Sequence, residues 1–394
     1  MTITRKTTYL LLAMLSMIFL PWLGGYIYYK GSFPADFFAY PPLKAMDKPG
    51  FNLLIFCAIA IVCLGITAIY IRPKWFGFKQ YISEPSKLVK KARLPFWFWF
   101  GLLCWGTSLT FLSLHLKQPA WFIHWSDVPL FWGAVLMLDG IVYRRTGGKS
   151  LVALIPQELI GIGVASMTGW MIFEFMNFFV DDNWYYPWGN ILDREEFLLY
   201  AFIISSGLLP LAFEWYLLFL TFPKLANRFR DGIKIKLNNP IKNTLLFLSL
   251  ISMVVAGLFP DELFFVLWVS PPVILAVVLN KIGVWTPFDP IERGNWGPVL
   301  LSALTYLVAG FTLEGQNYLS AIHDGQTALF TNDPAYWQYS IPYVNVAHIF
   351  EMPLLGYFGY LPFGVYCWLW WIACATLLNI PAKFLKANPL DFNN

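Results

Sequence analysis

Long apolar segments constrain this chain most strongly, because about 20 apolar residues in a helix can cross the ~30 Å hydrocarbon core of a bilayer. Hydrophobic residues make up 58% of the 394 residues and charged residues only 13%, whereas a soluble domain has about 25% charged residues. The sequence therefore predicts an all-α, polytopic integral membrane protein with about ten transmembrane helices. The predicted spans are 8–29, 51–72, 95–115, 120–142, 151–178, 195–220, 243–259, 262–280, 297–314 and 346–378.

The basic residues predict the orientation of these spans, since Lys and Arg accumulate in cytoplasmic loops. With a cytoplasmic N-terminus, the outer side keeps only five of the 27 basic residues, namely Lys30, Lys44, Lys48, Lys117 and Arg194. We therefore expect a multi-pass protein of the bacterial inner membrane with both termini in the cytoplasm. The basic loops also explain the net charge of +4 through attraction to anionic headgroups, so membrane lipids are expected partners and nucleic acid is not.

A pattern of polar residues occurs twice. Glu174 and Asn177 form a Glu-x-x-Asn pair near the end of one apolar segment, and Glu314 and Asn317 repeat it 140 residues later. The aromatic signature that follows is offset by 153 residues, which indicates a loop insertion in the second copy. The matching features are Trp184-Tyr185-Tyr186-Pro187 with Trp337-Gln338-Tyr339, and then Gly207/Pro210 with Gly359/Pro362.

The repeat predicts the organisation of the chain. Each copy contains four spans and so returns to its starting side, which predicts parallel repeats related by a pseudo-twofold axis along the membrane normal. The predicted 2+4+4 architecture has an accessory transmembrane hairpin and basic cytoplasmic loop at 1–94, a first four-helix repeat at 95–242, and a second repeat with a short tail at 243–394.

The last predicted span is too long for one straight crossing of the membrane. Glycine and proline allow it to break, and broken helices at membrane depth are tolerated where protein or a water-filled cavity satisfies the backbone. We expect residues 346–358 to form a half-helix over the outer face of the bundle. The residues that favour the break are Pro353, Gly356, Gly359 and Pro362.

The repeated acids are the best candidate site, since an ionisable group inside a span is costly and usually marks function. Two carboxylates in different environments can divide the roles of general acid and general base. The predicted catalytic residues are Glu174, Asn177, Glu314, Asn317 and Glu351. The predicted substrate-binding residues are Trp184, Tyr186, Trp337, Tyr339, His348 and Glu214. The alternative is structural: the Glu-x-x-Asn pairs cap or cross-link helices, and the aromatic residues form an interfacial belt.

Glu214 lies deep in the sixth predicted span, where it needs a partner or a cavity. Its counterpart in the second copy is Tyr366. Two interpretations stay open: Glu214 is a specialised catalytic or ion-coupling residue, or a Glu–Tyr hydrogen bond joins the two copies.

Other acidic residues have simpler interpretations. Asp193-x-x-Glu196 at the start of the sixth span matches a capping box, in which the first side chain accepts from the helix N-terminus. A local ion pair is expected for Asp139 and Glu158, which flank Arg144 and Arg145.

No metal or cofactor is predicted. The five Cys residues all lie inside predicted spans, and the four His residues show neither i, i+4 pairing nor a His-Glu-x-x-His motif. A phosphate-binding loop, a nucleotide fingerprint and a nucleophile elbow are also absent from the sequence.

Four stretches resemble a family of largely uncharacterised bacterial polytopic membrane proteins. They are IFEFMNFF with NWYYP, RGNWGPVLLSALTYLVAG, and HIFEMPLLGYFGYLPF. The resemblance covers roughly 125–370 and implies the membrane fold without an established activity. The chain departs from the family pattern at Asn183, before the first Trp, and in Leu-Glu-Gly-Gln-Asn of the second copy.

A second similarity is to the heterodimeric-type lycopene cyclases. Their Trp-x-Tyr followed by Pro-x-Glu-Glu-Phe is similar to Trp184-Tyr185-Tyr186 followed by Asp193-Arg194-Glu195-Glu196-Phe197, with Asp193 in the place of the proline. The similarity implies that Glu195 and Glu196 protonate an isoprenoid double bond.

Three functions fit these features. The favoured one is an enzyme that modifies an amphiphilic lipid or isoprenoid at the outer leaflet by carboxylate acid/base chemistry. The second is a transporter or flippase for a small or lipidic solute, with Glu214 as a proton-linked carboxylate. The third is a membrane scaffold or assembly factor that binds a partner membrane subunit.

Overall fold

The computed structural model describes residues 3–79, 90–386 and 389. Residues 80–89, in the middle of the predicted basic loop, lie outside the described residues. In the predicted tail, 387, 388 and 390–394 also lie outside them. The described chain is mostly helical with little sheet. Its α-helices are α1 (Ile3–Tyr28), α2 (Leu53–Ile71), α3 (Phe96–Ser113), α4 (Ala120–His124), α5 (Asp127–Thr146), α6 (Leu151–Leu154), α7 (Pro156–Asn177), α8 (Arg194–Ser205), α9 (Leu208–Leu220), α10 (Pro223–Ala226), α11 (Asn239–Leu258), α12 (Val266–Lys281), α13 (Gly297–Leu319) and α14 (Tyr360–Leu377).

Many of these helices have the length and composition of membrane spans. Within the described residues, eight helical segments are long and apolar enough to cross a membrane, and α12 is a shorter apolar helix. The prediction of a mostly helical chain with several helices of membrane-crossing length is therefore confirmed. The eight segments are Arg5–Tyr28, Leu53–Ile71, Phe96–Ser113, Pro156–Val180, Arg194–Leu220, Asn239–Leu258, Gly297–Leu319 and Leu354–Leu377.

The fourth, fifth and sixth predicted spans are each interrupted. The fourth divides into α4 and α5 at Trp125–Ser126, the fifth into α6 and α7 at Ile155, and the sixth into α8 and α9 at Ser206–Gly207. A Cβ atom at Gly207 would lie 2.9 Å from the Cβ of Phe131, so the break lies where α5 comes close. Pro210 falls in the first turn of α9, where its missing N–H has no helical acceptor to lose.

Short strands join the ends of several helices. The described residues contain three two-stranded antiparallel sheets, which pair β1 with β4, β2 with β3, and β5 with β6. The strands are β1 (Trp184–Tyr185), β2 (Ala321–Asp324), β3 (Thr327–Thr331), β4 (Gln338–Tyr339), β5 (His348–Ile349) and β6 (Met352–Pro353).

The predicted half-helix at 346–358 is wrong. The segment instead contains β5, a turn and β6, followed by a 3₁₀ helix at Leu354–Gly359. Ala347 and Phe350 adopt left-handed φ angles of 56° and 57°, which a right-handed helix cannot contain. Pro353, with ψ of 141°, starts the 3₁₀ helix from extended backbone.

The buried helix α14 holds the two halves of the chain together. Tyr366 donates a hydrogen bond to the Gly169 carbonyl of α7 at 3.1 Å, and Trp370 Nε1 donates to the Ala165 carbonyl at 2.9 Å. On its other side α14 contacts α13 closely, because a Cβ atom at Gly364 would lie only 2.2 Å from the Ser302 carbonyl oxygen. Small residues allow such close approach of helices in membranes.

Candidate functional site

Glu174 lies in the last turn of α7, and its side chain is only 3% exposed. Its Oε1 atom accepts hydrogen bonds from the Tyr186 hydroxyl at 2.6 Å and from Trp184 Nε1 at 3.2 Å. The aromatic signature after the first Glu-x-x-Asn pair therefore supplies the donors that a buried carboxylate needs.

Glu314 has the same arrangement near the end of α13, and its side chain is fully buried. Its Oε1 atom accepts from the Tyr339 hydroxyl at 2.6 Å and from Trp337 Nε1 at 3.2 Å. A third donor, the Tyr360 hydroxyl at the start of α14, reaches the same atom at 2.5 Å. The two copies thus share a Glu–Trp–Tyr cluster. The third donor is the Tyr360 hydroxyl in the second copy, whereas in the first it is the Trp170 indole, whose contact with Glu174 is the weakest of the three.

The two asparagines hold the backbone of these aromatic segments. Asn177 Nδ2 donates to the Trp184 carbonyl at 2.8 Å, and Asn317 Nδ2 donates to the Trp337 carbonyl at 2.9 Å. In the second copy, Trp337 N also donates to Asn317 Oδ1 at 3.0 Å. Each Asn therefore fixes the position of the Trp that contacts the nearby Glu, and its amide is already committed to the backbone.

Strands β1 and β4 bring the two clusters together. Trp184 lies opposite Tyr339, and Tyr185 lies opposite Gln338. The Tyr185 hydroxyl donates to Gln338 Oε1 at 2.9 Å. Tyr185 and Gln338 occupy matching positions of the two signatures, so the strand pair joins the two aromatic segments at matching residues.

An aromatic cavity lies between the two clusters. It offers about 100 Å³ to the centres of water-sized molecules, enough for several waters at roughly 10–15 Å³ each. Both predicted Trp–Tyr pairs line it, whereas neither Glu174 nor Glu314 does. The aromatic lining comprises Tyr40, Phe131, Trp170, Trp184, Tyr186, Phe197, Tyr200, Trp268, Tyr306, Trp337, Tyr339 and Tyr360.

The tyrosines of the two signatures separate the carboxylates from the cavity. Burial, followed by the charge of Glu174, raises the pKa of Tyr186 well above its ordinary value. Burial and then the charge of Glu314 raise the pKa of Tyr339 in the same way. Both phenols therefore keep their protons at neutral pH. Among the described residues, no donor reaches Oε2 of either Glu174 or Glu314.

Glu351 belongs to a separate buried network. Its Oε1 atom contacts His323 Nε2 at 2.7 Å and accepts from the Tyr336 hydroxyl, while Gln338 Nε2 reaches Oε2 at 3.4 Å. Burial and the hydrogen bond to Glu351 raise the pKa of Tyr336. The network ties the β2–β3 hairpin to the β5–β6 turn. The sequence analysis did not pair His323 with Glu351, because the two residues are joined only by the folding of the inserted loop.

His348 lies away from the cavity lining. Its Nε2 atom contacts Asn345 Oδ1 at 3.1 Å. Burial lowers the pKa of His348, and the charge of Glu351 partly opposes that shift. The structure therefore does not bring His348 together with the two Glu clusters.

Glu214 is fully buried near Asp139, and neither of its carboxyl oxygens has a hydrogen-bond partner among the described residues. Asp139 also accepts from Trp97 Nε1 and Ser150 Oγ, both at 2.8 Å. The alternative of a Glu–Tyr bond between the copies is wrong, because Tyr366 donates to a backbone carbonyl of α7. Two neighbouring carboxyl groups can form a hydrogen bond only when one of them carries a proton.

The predicted ion pair at this end of the bundle is not formed among the described residues. Arg145 instead donates to Thr221 Oγ1 at 2.6 Å and lies over the ring of Phe222 at 3.9 Å. Glu158 accepts from Trp371 Nε1 at 3.2 Å and from Lys383 N at 2.7 Å. Indole and backbone donors satisfy the acids here, so the arginine is free to stack on an aromatic ring.

The acids at the start of α8 lie outside the cavity lining. Asp193 accepts from Glu196 N at 2.8 Å, so the predicted N-terminal cap is confirmed. Glu195 and Glu196 are exposed in the first turn of α8, and Glu196 Oε1 accepts from Trp125 Nε1 at 3.3 Å.

Several contributors to the site were not predicted from the sequence, among them Tyr360 and Tyr200. Tyr360 follows the Gly of the second Gly-x-x-Pro, and that position was the available signal. Tyr200 lines the cavity and donates to Asp127 Oδ2 at 2.7 Å. Asp127 in turn lies beside buried Asp333.

Within the described residues, no group of three or more His, Cys, Asp and Glu side chains could hold a metal ion. In comparisons with known proteins, no family model, curated protein or solved structure matches this chain.

Proposed function

We propose that this protein is an enzyme that modifies an amphiphilic lipid or isoprenoid at the outer leaflet of the bacterial inner membrane. One observation carries the proposal: Tyr186 and Tyr339 line the same aromatic cavity, and each is hydrogen-bonded to a buried glutamate behind it. An apolar cavity with a few convergent polar groups is the usual form of a small-molecule site.

In this proposal the tyrosines touch the substrate and the glutamates act through them. A tyrosine that gives its proton to the substrate regains one from the glutamate behind it. A tyrosine that takes a proton from the substrate passes its own to its glutamate. One turnover then moves one proton from the acid pair to the base pair, and exchange with water restores the resting state.

The stronger third donor at Glu314 assigns the two roles, because the third donor at Glu174, the Trp170 indole, makes a weaker contact. Tyr360 makes a third hydrogen bond to Glu314, and hydrogen bonds to a carboxylate favour its charged form. We therefore assign the base to the Tyr339–Glu314 pair and the acid to the Tyr186–Glu174 pair. Asn177 and Asn317 are positioning residues, since they hold the backbone of the aromatic segments.

The proposal includes the finer architecture inferred from the sequence. Ten spans in a 2+4+4 arrangement, with parallel repeats and cytoplasmic termini, place the β1–β4 ribbon on the outer face. The same Glu–Trp–Tyr hydrogen bonds in both copies support the repeat. The central Tyr185–Gln338 pair is where a twofold axis along the membrane normal would pass.

The test is a comparison of total lipids and pigments by mass spectrometry. The strains are a deletion strain and the same strain with the wild-type gene, Glu174→Gln/Glu314→Gln, Tyr186→Phe/Tyr339→Phe, or the control Glu292→Gln, all at equal expression. We expect one lipid or isoprenoid product to be lost in the deletion and in both double variants, and kept in the control. Equal profiles in all strains would overturn the proposal for that growth condition.

A transporter or flippase is the second candidate, favoured by the buried carboxyl pair of Asp139 and Glu214. Ser205 lines the cavity and accepts at its carbonyl from Ser166 Oγ, so polar groups also occur between α7 and α8. Transport predicts that Glu214→Gln changes the distribution of a lipid between the two leaflets while its total amount stays constant. Leaflet-selective chemical labelling of lipids in whole cells measures that distribution.

A further inference from the structure

The wall of the aromatic cavity is uncharged, but acids lie directly behind it. None of the described side chains that line the cavity carries a charge at neutral pH. Three of the lining tyrosines donate to buried carboxylates: Tyr186 to Glu174, Tyr339 to Glu314 and Tyr200 to Asp127. The cavity therefore has three acidic side chains directly behind its wall and no basic residue at its surface.

Tryptophan and tyrosine rings make up much of the cavity wall. Trp184 lies between two other indoles, with ring centroids 5.8 Å from Trp170 and 5.7 Å from Trp268. On the side of the second copy, Tyr306 and Tyr360 lie 5.8 Å apart with planes tilted by 40°. Tryptophan and tyrosine faces attract cations, and cages of such rings bind quaternary ammonium groups.

The glutamates behind the rings lack a counter-charge. The ion pairs of the described residues involve neither Glu174 nor Glu314, and Oε2 of each receives no hydrogen bond from the described chain. An uncompensated buried charge is costly. A cation in the adjacent cavity would compensate Glu314 at short range, because Glu314 is ionised in its assigned role as the base.

We propose that the cavity binds an organic cation, namely the quaternary or protonated amine group of an amphiphile, held by Trp184, Trp268 and Tyr360 with Glu314, the base of the proposed reaction, as its counter-charge. The proposal deepens the proposed function, because it rests on the same site and names the chemistry of the group bound there. It excludes a phosphate as the group inside the cavity, since no basic side chain among the described lining residues could neutralise one.

The experiment compares two probes of equal shape on the purified full-length protein in maltoside micelles. Choline carries a trimethylammonium group, and 3,3-dimethylbutan-1-ol replaces its nitrogen by carbon. Binding is followed by tryptophan fluorescence and by calorimetry. We expect choline to bind at least about tenfold more tightly than the neutral alcohol. Equal binding of the two probes, or binding of neither, would overturn the proposal without the use of any variant.

Variants test the counter-charge. Glu314→Gln is expected to remove most of the preference for choline and to leave the weak binding of the alcohol unchanged. Glu292→Gln, at an exposed acid elsewhere, should retain the preference. A preference unchanged in folded Glu314→Gln, verified by its thermal transition, would overturn the role of Glu314 as counter-charge. Hexyltrimethylammonium distinguishes the sources of the cation: it binds more tightly than choline if the ligand is an amphiphile, and equally if the ligand is a free amine.

Failure of this proposal is distinct from failure of the enzyme proposal. A cation preference in vitro with unchanged lipid profiles in cells would refute the reaction and keep the cation site. A lost lipid product in the variants with equal binding of choline and the alcohol would keep the reaction and refute the cation.

Discussion

Gly310→Ala tests whether the contact of α13 with α14 sets the geometry of the Glu314 cluster. A Cβ atom at Gly310, about one turn before Glu314, would lie 2.5 Å from two ring atoms of Tyr360, whereas ordinary contacts begin at 3.4 Å. The ring must therefore retreat by roughly 1 Å. The Tyr360 hydroxyl donates to Glu314 at 2.5 Å, and this retreat lengthens the distance to roughly 3.5 Å, beyond an effective hydrogen bond.

The magnitude follows from three contributions. Overpacking a buried position costs about 1–3 kcal/mol, and replacing Gly by Ala inside a helix recovers about 0.5–1 kcal/mol. A hydrogen bond inside a membrane protein contributes about 0.6 kcal/mol on average. The expected net destabilisation is about 1–3 kcal/mol. Gly106→Ala on α3 is the matched control, because a Cβ atom there meets no described atom within 4 Å, and it should stabilise by about 0.5–1 kcal/mol.

The assay is unfolding of the purified protein in maltoside micelles by increasing mole fractions of SDS, followed by tryptophan fluorescence. Gly310→Ala should unfold at a lower SDS fraction than the wild type, and Gly106→Ala at an equal or higher one. In a Tyr360→Phe background the hydrogen bond is already absent, so Gly310→Ala should cost less than in the wild type. Wild-type or higher stability of Gly310→Ala would refute the packing argument.

Two further predictions concern the ends of the bundle. Burial raises the pKa of Asp182 from 3.8 to about 7, although Lys48 opposes the shift, so the fold favours the protonated form. The contribution of protonated Asp182 to the free energy of unfolding is complete below about pH 4 and is lost as the pH rises through 7. Asp182→Asn provides a neutral side chain that tolerates the left-handed φ of 53°. The variant should show a smaller fall in melting temperature between pH 4 and 8 than the wild type. An unchanged slope would contradict the account. Glu158→Ala removes the acceptor of Lys383 N and Phe384 N and should speed tryptic cleavage at Lys383. Glu158→Gln keeps one acceptor oxygen, so its cleavage rate should lie between those of the wild type and Glu158→Ala. Equal cleavage rates in all three proteins would exclude the anchoring role.

The sequence predicted the helices and the repeated cluster because both follow from local physical requirements. A crossing helix needs a continuous apolar run, and a buried carboxylate needs donors. The donors of Glu174 lie 10 and 12 residues further along the chain, so the motif was visible as a pattern. In the second copy the inserted loop lengthened the spacing but kept the same residue types in order.

Other parts of the site depend on contacts between distant segments, which no local pattern specifies. Tyr360 reaches Glu314 across 46 positions, and Asp139 meets Glu214 only because α5 packs against α9. The half-helix prediction at 346–358 failed for a related reason. The inserted loop provides the partners of Glu351, and their geometry requires left-handed residues in place of a helical turn.

The central claim is that the protein itself carries out the reaction at the two Glu–Tyr pairs. The most direct measurement reconstitutes purified wild-type protein, Glu174→Gln/Glu314→Gln and Glu292→Gln in vesicles made from the total lipids of the deletion strain, and follows conversion by mass spectrometry. We predict that the missing product forms with the wild-type protein and with Glu292→Gln but not with the double variant. Unchanged lipid chemistry with all three proteins, although the gene is needed for the product in cells, would contradict the claim and favour transport.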